Sequence, residues 1–281
     1  MKVGIQLYSV RNAMAKDPIA TLRQVVDCGY KYLETANYNA DKDPGTGFGV
    51  SPREMNKILD DSGAKVVGAH MDPLDNLQPI LDYFEAIGCK RIGIPMPFFK
   101  DLDDVKRQCD GFNLADEQCK ARGFQLYYHN HYQEFQKFEG QTVLDYIYDN
   151  TQLYFEVDSF WAARGGVDPV ALMEKLGRRL ILLHQKDFSK DVREPINVFD
   201  GLVAPDADLS SLEKFDAPLS NDVFTEIGTG ILPIQDYINA GNKVGVEYIF
   251  LEQDHTKMSS EIESIKTSME SFKKFSGIEW A

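Results

Sequence analysis

The chain has no basic patch. Its 281 residues carry 30 Lys and Arg against 44 Asp and Glu, a formal net charge of −14. The cations come in ones and twos, as at Lys90-Arg91, Arg178-Arg179 and Lys273-Lys274. Without clustered positive charge, a phosphodiester backbone or an anionic bilayer is repelled, so nucleic acid and membrane-surface partners are set aside. Long apolar runs are missing too: none approaches the roughly 18 to 20 residues that a spanning helix needs. Met1-Lys2-Val3-Gly4-Ile5-Gln6-Leu7 passes directly into a strand-like run, without the charged region, apolar core and cleavage site of a secretory leader. The expectation is a soluble, cytoplasmic protein. Cysteine is scarce: Cys28, Cys89, Cys109 and Cys119 form no CxxC pair and read as reduced structural thiols. No GxGxxG follows an early strand, and Gly45-Thr46-Gly47-Phe48-Gly49 lacks the Lys-Ser/Thr of a phosphate loop. That glycine stretch reads instead as a flexible loop near the site.

What is present is an alternation. Hydrophobic residues make up 43% and charged residues 26%, enough for one substantial core. Short apolar runs are expected to be strands at Val3–Leu7, Tyr30–Glu34, Lys65–Ala69, Arg91–Ile94, Gln125–His129, Leu153–Val157, Leu180–Leu183 and Val246–Leu251. Helical patterns run between them. Their starts carry acceptor caps at Asp17-Pro18, Ser51-Pro52 with Glu54, Asp101 and Asp168-Pro169. Their ends carry Gly29, Gly63, Gly88, Gly123, Gly177 and Gly241, where a left-handed residue stops a helix. Eight βα units favour a closed (β/α)8 TIM barrel, one α/β domain over residues 1–281, rather than an open doubly wound sheet. One segment breaks the rhythm. Residues 188–225, after the seventh strand, show no periodicity and carry Pro195, Pro205 and Pro218. An insertion this long is expected to be a lid over the catalytic face or a subunit contact, and a homo-oligomer is left open.

In such a barrel the chemistry sits at the C-terminal ends of the strands. Those ends carry Glu34, His70, His129, His131, Glu156, Asp158, His184 and Glu252. One acid or imidazole alone is as readily a cap for the next helix. Converging on one mouth, several would repel or desolvate one another unless a cation neutralised them. Mixed oxygen and nitrogen donors with carboxylates predominating point to Mn2+ first, then Mg2+, Co2+ or Zn2+. Trp161, three residues after Asp158, is either core packing or a platform for the apolar face of a sugar ring. Lys186 is either a solvated helix-start charge or a donor to an enolate oxygen or a carboxylate. Tyr8, Glu34, His70 and Glu226 are candidate substrate contacts, and His255 reads as surface.

Four segments, in order, carry a resemblance: Tyr128-His129-Asn130-His131-Tyr132-Gln133-Glu134-Phe135, Glu156-Val157-Asp158-Ser159-Phe160-Trp161, His184-Gln185-Lys186-Asp187 and Leu251-Glu252-Gln253-Asp254. With the opening Gly4-Ile5-Gln6-Leu7-Tyr8-Ser9-Val10-Arg11, the chain resembles the sugar phosphate isomerase/epimerase family of the xylose isomerase-like TIM barrel superfamily over its whole length. The resemblance implies one divalent metal held by a strand-five acid, a strand-six Asp, a strand-seven His and a strand-eight Glu. Asp158, His184 and Glu252 match. The first position departs, because His129 stands where the family places Glu. Glu134 folding back from the loop is the preferred replacement, with His129 or His131 as the alternative. The implied activity is metal-dependent isomerisation or epimerisation of a small sugar or keto-polyol, with His129, His131, Lys186 and Glu252 moving protons or stabilising charge. The alternatives are a lyase or dehydratase of keto-sugars or keto-inositols and, from another class, a non-catalytic sugar-binding barrel. An endonuclease-like phosphodiesterase is disfavoured by the acidity and by a total of five histidines.

Overall fold

A computed structural model describes residues 1–280 of the protein. Eight strands pair in parallel: β1 (Lys2–Gln6), β2 (Tyr32–Asn37), β3 (Lys65–Met71), β4 (Arg91–Ile94), β5 (Gln125–His129), β6 (Tyr154–Asp158), β7 (Leu180–Gln185) and β8 (Tyr248–Leu251). They lie in cyclic order, and the pairing of Ile5 with Leu251 closes the ring. Between and after them run α1 (Pro18–Asp27), α2 (Pro52–Ser62), α3 (Leu77–Ala86), α4 (Leu102–Ala121), α5 (Val143–Asn150), α6 (Pro169–Leu176), α7 (Ile234–Val244) and α8 (Glu261–Phe272). The protein is a TIM barrel. Among the described residues, no helix is long and apolar enough to cross a membrane.

Local chemistry sets the helix starts. Asp17, Asp101 and Asp168 each accept a backbone N–H of the first turn, and Ser51 with Glu54 forms a reciprocal capping box. One expected stop is misplaced. Gly241 lies inside α7, and the helix ends at Gly245, whose φ of 94° is the left-handed one. Gly241 serves packing: a Cβ there would come 2.6 Å from Met1 Cε and 2.7 Å from Leu183 Cδ1, so the helix rides close on the barrel wall.

The barrel's apolar layer lies between sheet and helices, while its lumen toward the C-terminal end is filled by polar and aromatic groups. Room for them comes from glycine. A Cβ on Gly93 would meet the Tyr127 ring at 2.4 Å and His70 Cδ2 at 2.8 Å. Register shifts at Leu33/Glu34 against β3 and at Phe155/Glu156 against β7 accompany two inward carboxylates, a common use of a bulge beside a site.

The long insertion is ordered. It begins in an antiparallel pairing of Asp187–Phe188 with Phe224–Thr225 and contains a short helix at Leu212–Asp216. Val198, Val203, Leu209, Phe215 and Val223 pack with Tyr132, Phe160 and Trp161 into a cluster of their own. Aperiodic spacing hid this core, because irregular backbone carries its apolar residues at no fixed interval.

Candidate active site

Two connected layers of charge occupy the mouth. In the deeper one, His184 on β7 is the hub: its Nε2 lies 2.5 Å from Glu34 Oε2 and 3.2 Å from Glu156 Oε2, and its Nδ1 lies 2.9 Å from Glu252 Oε2. Glu34 also accepts from Gln6 Nε2 at 2.8 Å and from the Tyr127 hydroxyl. His70 Nε2 meets Glu156 Oε2 at 2.7 Å. Burial opposes charging His184, yet the carboxylates of Glu156, Glu252 and Glu34 outweigh it and hold its pKa well above the ordinary value. Burial, with Glu34 adding to it, pushes Glu156 up to about 7.

In the upper layer Lys186, just past β7 and 1% exposed, places Nζ 2.5 Å from Asp158 Oδ2, 2.5 Å from Glu252 Oε2 and 3.7 Å from Asp254 Oδ2. Against the cost of burial, Asp158, Asp254 and Glu252 keep the ammonium charged. Asp158 spends its other oxygen on the Trp161 N–H, at 2.8 Å, as the cap of the short helix Ser159–Arg164. His129 and His131 behave oppositely to His184. Burial lowers both pKa values well below the usual one, aided at His129 by His184 and at His131 by Lys186. The shift favours the uncharged imidazole in each, and each Nδ1 is buried without a hydrogen bond, that of His129 lying 3.4 Å from Glu156 Oε2.

Above these layers lies a cavity of about 330 Å3. Tyr8, Arg11, Tyr38, His131, Trp161, Glu252 and Asp254 form its walls, and Leu212, Phe215, Asp216, Leu219, Asn221 and Phe224 of the insertion line it as well. The Arg11 guanidinium lies 4.1 Å from the Tyr8 ring centre and donates to the carbonyls of Tyr8 and Asp254. The rings of His131 and Trp161 stand 5.6 Å apart.

His129, Asp158, His184 and Glu252 offer ligand atoms all within 4.8 Å of one another, as do His70, His129, Glu156 and His184. One ion with ligands at about 2.0–2.2 Å keeps its donors roughly 3 to 4.4 Å apart, depending on geometry, so donors within 4.8 Å of one another are close to ligation spacing. His129 Nδ1 is buried without a hydrogen bond, 3.4 Å from Glu156 Oε2. The residues present therefore fit a divalent metal of the kind that takes mixed carboxylate and imidazole ligands.

Three of the expected ligands, Asp158, His184 and Glu252, are together. Glu134 is not with them. Its oxygens take the Tyr128 hydroxyl at 2.8 Å, the His131 N–H at 2.8 Å and Gln133 Nε2 at 3.2 Å, and burial pushes its pKa up to about 7. The strand-five donor in the group is His129, which sits on the strand itself where Glu134 lies beyond it in the loop. Glu34 and His70 are brought to the deep layer rather than to the cavity wall, because β2 runs three residues past Glu34. Tyr8 and Trp161 line the cavity. Glu226 does not: Thr256 Oγ1 at 2.5 Å and Ser264 Oγ at 2.8 Å hold it against α8. His255 is exposed. Asp254, Arg11 and Tyr38 were not singled out from sequence. For Asp254 a signal existed in the period-two spacing Glu252-x-Asp254, which puts both carboxylates on one side of an extended chain.

No family model and no curated protein matches the chain. Solved structures do. Two sugar phosphate isomerase/epimerases from Parabacteroides distasonis ATCC 8503 are similar, one with TM-score 0.78 at 21% identity over 99% of this chain and 95% of that one. The other has TM-score 0.72 at 25% identity over 99% of both chains. The IolI protein, solved with a bound zinc atom, gives 0.66 at 14% identity over 98% of this chain and 100% of that one. The resemblance read from the four segments thus reappears as a likeness of whole folds.

Proposed function

We propose that the protein is a divalent-metal-dependent enzyme that removes a proton next to the carbonyl of a small sugar or keto-polyol, giving an isomer or epimer. The observation that carries this reading is a buried histidine, His131, set in the wall of an aromatic cavity beside Glu252, which also belongs to the group His129, Asp158, His184 and Glu252. These four would hold the metal, Mn2+ before Mg2+, Co2+ or Zn2+, and the bound zinc atom of the similar IolI structure supports a metal on such a fold. Bound there, a divalent ion supplies Lewis acidity to carbonyl and hydroxyl oxygens.

The chain's own residues do the rest. The indole of Trp161 covers the apolar face of a ring, and Tyr8 and Tyr38 bound the opposite wall. Glu252 and Asp254 accept hydrogen bonds from hydroxyls. The imidazole of His131, unprotonated through burial, takes the proton and can return it. Lys186 donates to the oxygen on which negative charge develops. Phe215 and Phe224 from the insertion keep water out.

A second reading, elimination of water from a keto-sugar or keto-inositol, is favoured by one observation: among the described residues Glu252 is the sole glutamate on the cavity wall, with no second one to flank a substrate carbon. The test is incorporation of solvent deuterium into candidate keto-sugars and keto-inositols, followed by proton NMR, with metal-stripped protein as control. Metal-dependent exchange with an isomer as product supports the first reading, and an unsaturated product supports the second. Tight sugar binding with no exchange under any metal overturns both and leaves a non-catalytic binding barrel.

A further inference from the structure

We propose that Lys186 and the divalent metal are rivals for one place, so that metal loading drives the ammonium off Asp158 and Glu252 and onto Asp254. The inference rests on the metal reading above. Asp158 Oδ1 already accepts the Trp161 backbone N–H, and Oδ2 lies 2.5 Å from Lys186 Nζ. Glu252 Oε2 is held by the same ammonium at 2.5 Å. A hydrogen-bonded ammonium between two oxygens stands where an ion ligated by both would sit, and two cations at such spacing repel strongly in a buried site.

The lysine has somewhere to go. Asp254 Oδ2 is already 3.7 Å from Nζ, and a four-carbon stem with rotatable bonds reaches it without moving the backbone. The indole of Trp161, 5.7 Å from Nζ, remains beside that path. Asp254 lines the cavity, so a displaced ammonium moves from the floor toward the substrate. Lys186 thereby has two posts. In metal-free protein it compensates the buried carboxylate of Asp158 and shares that of Glu252 with His184. In loaded protein it is a cationic donor in the cavity wall.

Isothermal titration of metal-stripped protein with Mn2+ and with Zn2+ tests this. Lys186→Met removes the rival and should bind metal about 10- to 100-fold more tightly than wild type, since two charge-assisted hydrogen bonds no longer have to be broken. Asp254→Asn removes the second post and should weaken metal binding in the wild-type background, yet change it less than twofold when combined with Lys186→Met. A lysine with a merely structural role would show no such coupling. Metal-free Lys186→Met should also unfold at lower urea than wild type, the gap closing at saturating metal. If that variant does not fold, Asp254→Asn alone decides, and unchanged metal affinity in it overturns the proposal. Equal or weaker affinity in Lys186→Met, with wild type loaded, overturns the rivalry alone. Absence of metal binding in wild type and variant alike overturns the metal reading itself.

Discussion

Replacing Glu134 by glutamine separates support of the strand-five loop from metal ligation. The two Glu134 oxygens serve the Tyr128 hydroxyl and the His131 N–H, both at 2.8 Å. An amide keeps one acceptor oxygen and turns an NH2 toward the other donor. A buried donor left unpaired costs roughly 1–3 kcal/mol. The pH dependence has a definite sign. Burial raises this carboxyl from the usual 4.5 to about 7, so the folded protein keeps a proton that the unfolded chain has released, and wild-type stability falls as pH rises through that window. At about 1.4 kcal/mol per unit, most of that interval lies between pH 5 and pH 8 and amounts to about 2 to 3 kcal/mol. Glutamine does not ionise. Urea unfolding of metal-stripped proteins should therefore show Glu134→Gln less stable than wild type at pH 5, with the gap closing or reversing by pH 8. Elemental analysis of the same variant should find metal retained, whereas His129→Ala, which deletes a donor of the ligand group, should lose at least tenfold in metal affinity. Loss of metal in Glu134→Gln with full metal in His129→Ala would refute the assignment, and a stability gap independent of pH would refute the buried carboxyl.

Further outcomes follow from the same geometry. His131→Ala should lower turnover by about 10²- to 10⁴-fold, the contribution of a positioned base, while metal content stays at the wild-type level. Trp161→Phe keeps an aromatic face but not the indole's reach, and steady-state kinetics should show KM rising several-fold with kcat changed less. Gly93→Ala forces a methyl into the Tyr127 ring at 2.4 Å, and thermal unfolding should report a loss of about 1–3 kcal/mol from overpacking. Glu226→Gln should leave kcat/KM within twofold of wild type, because its carboxylate is tied to Thr256 and Ser264 away from the cavity.

Strands β4 and β5 run over the same residues that the apolar runs mark, since both are short and bounded by sharp turns. β2 does not: it continues to Asn37 through Thr35 and Ala36, which lie past the Tyr30–Glu34 run and are held by pairing with Ala69 and His70 of β3. That extension turns Glu34 from a strand-end group into part of the lumen. The convergence of Asp158, His184 and Glu252 was legible because each ends or follows an apolar run. The fate of Lys186 was not. Whether a lysine beyond a strand faces solvent or two carboxylates depends on strands distant in sequence, here β6 and the residue after β8. Glu134 misleads for a related reason: spacing along the chain puts it within reach of the site, and the hydroxyl of Tyr128, on the outward side of β5, claims it instead.

His184 also bears on how the barrel assembles. Its ring touches carboxylates from β2, β6 and the residue after β8, strands that enter the ring near the beginning, past the middle and at the end of the chain. A folding intermediate lacking one of these strands loses part of the charge compensation around His184, so partial barrels gain less by expelling water from the lumen. The expected consequence is that dehydration of the lumen waits until all three strands are in place. Fragments cut between α6 and β7 should stay expanded when separate and regain structure when mixed.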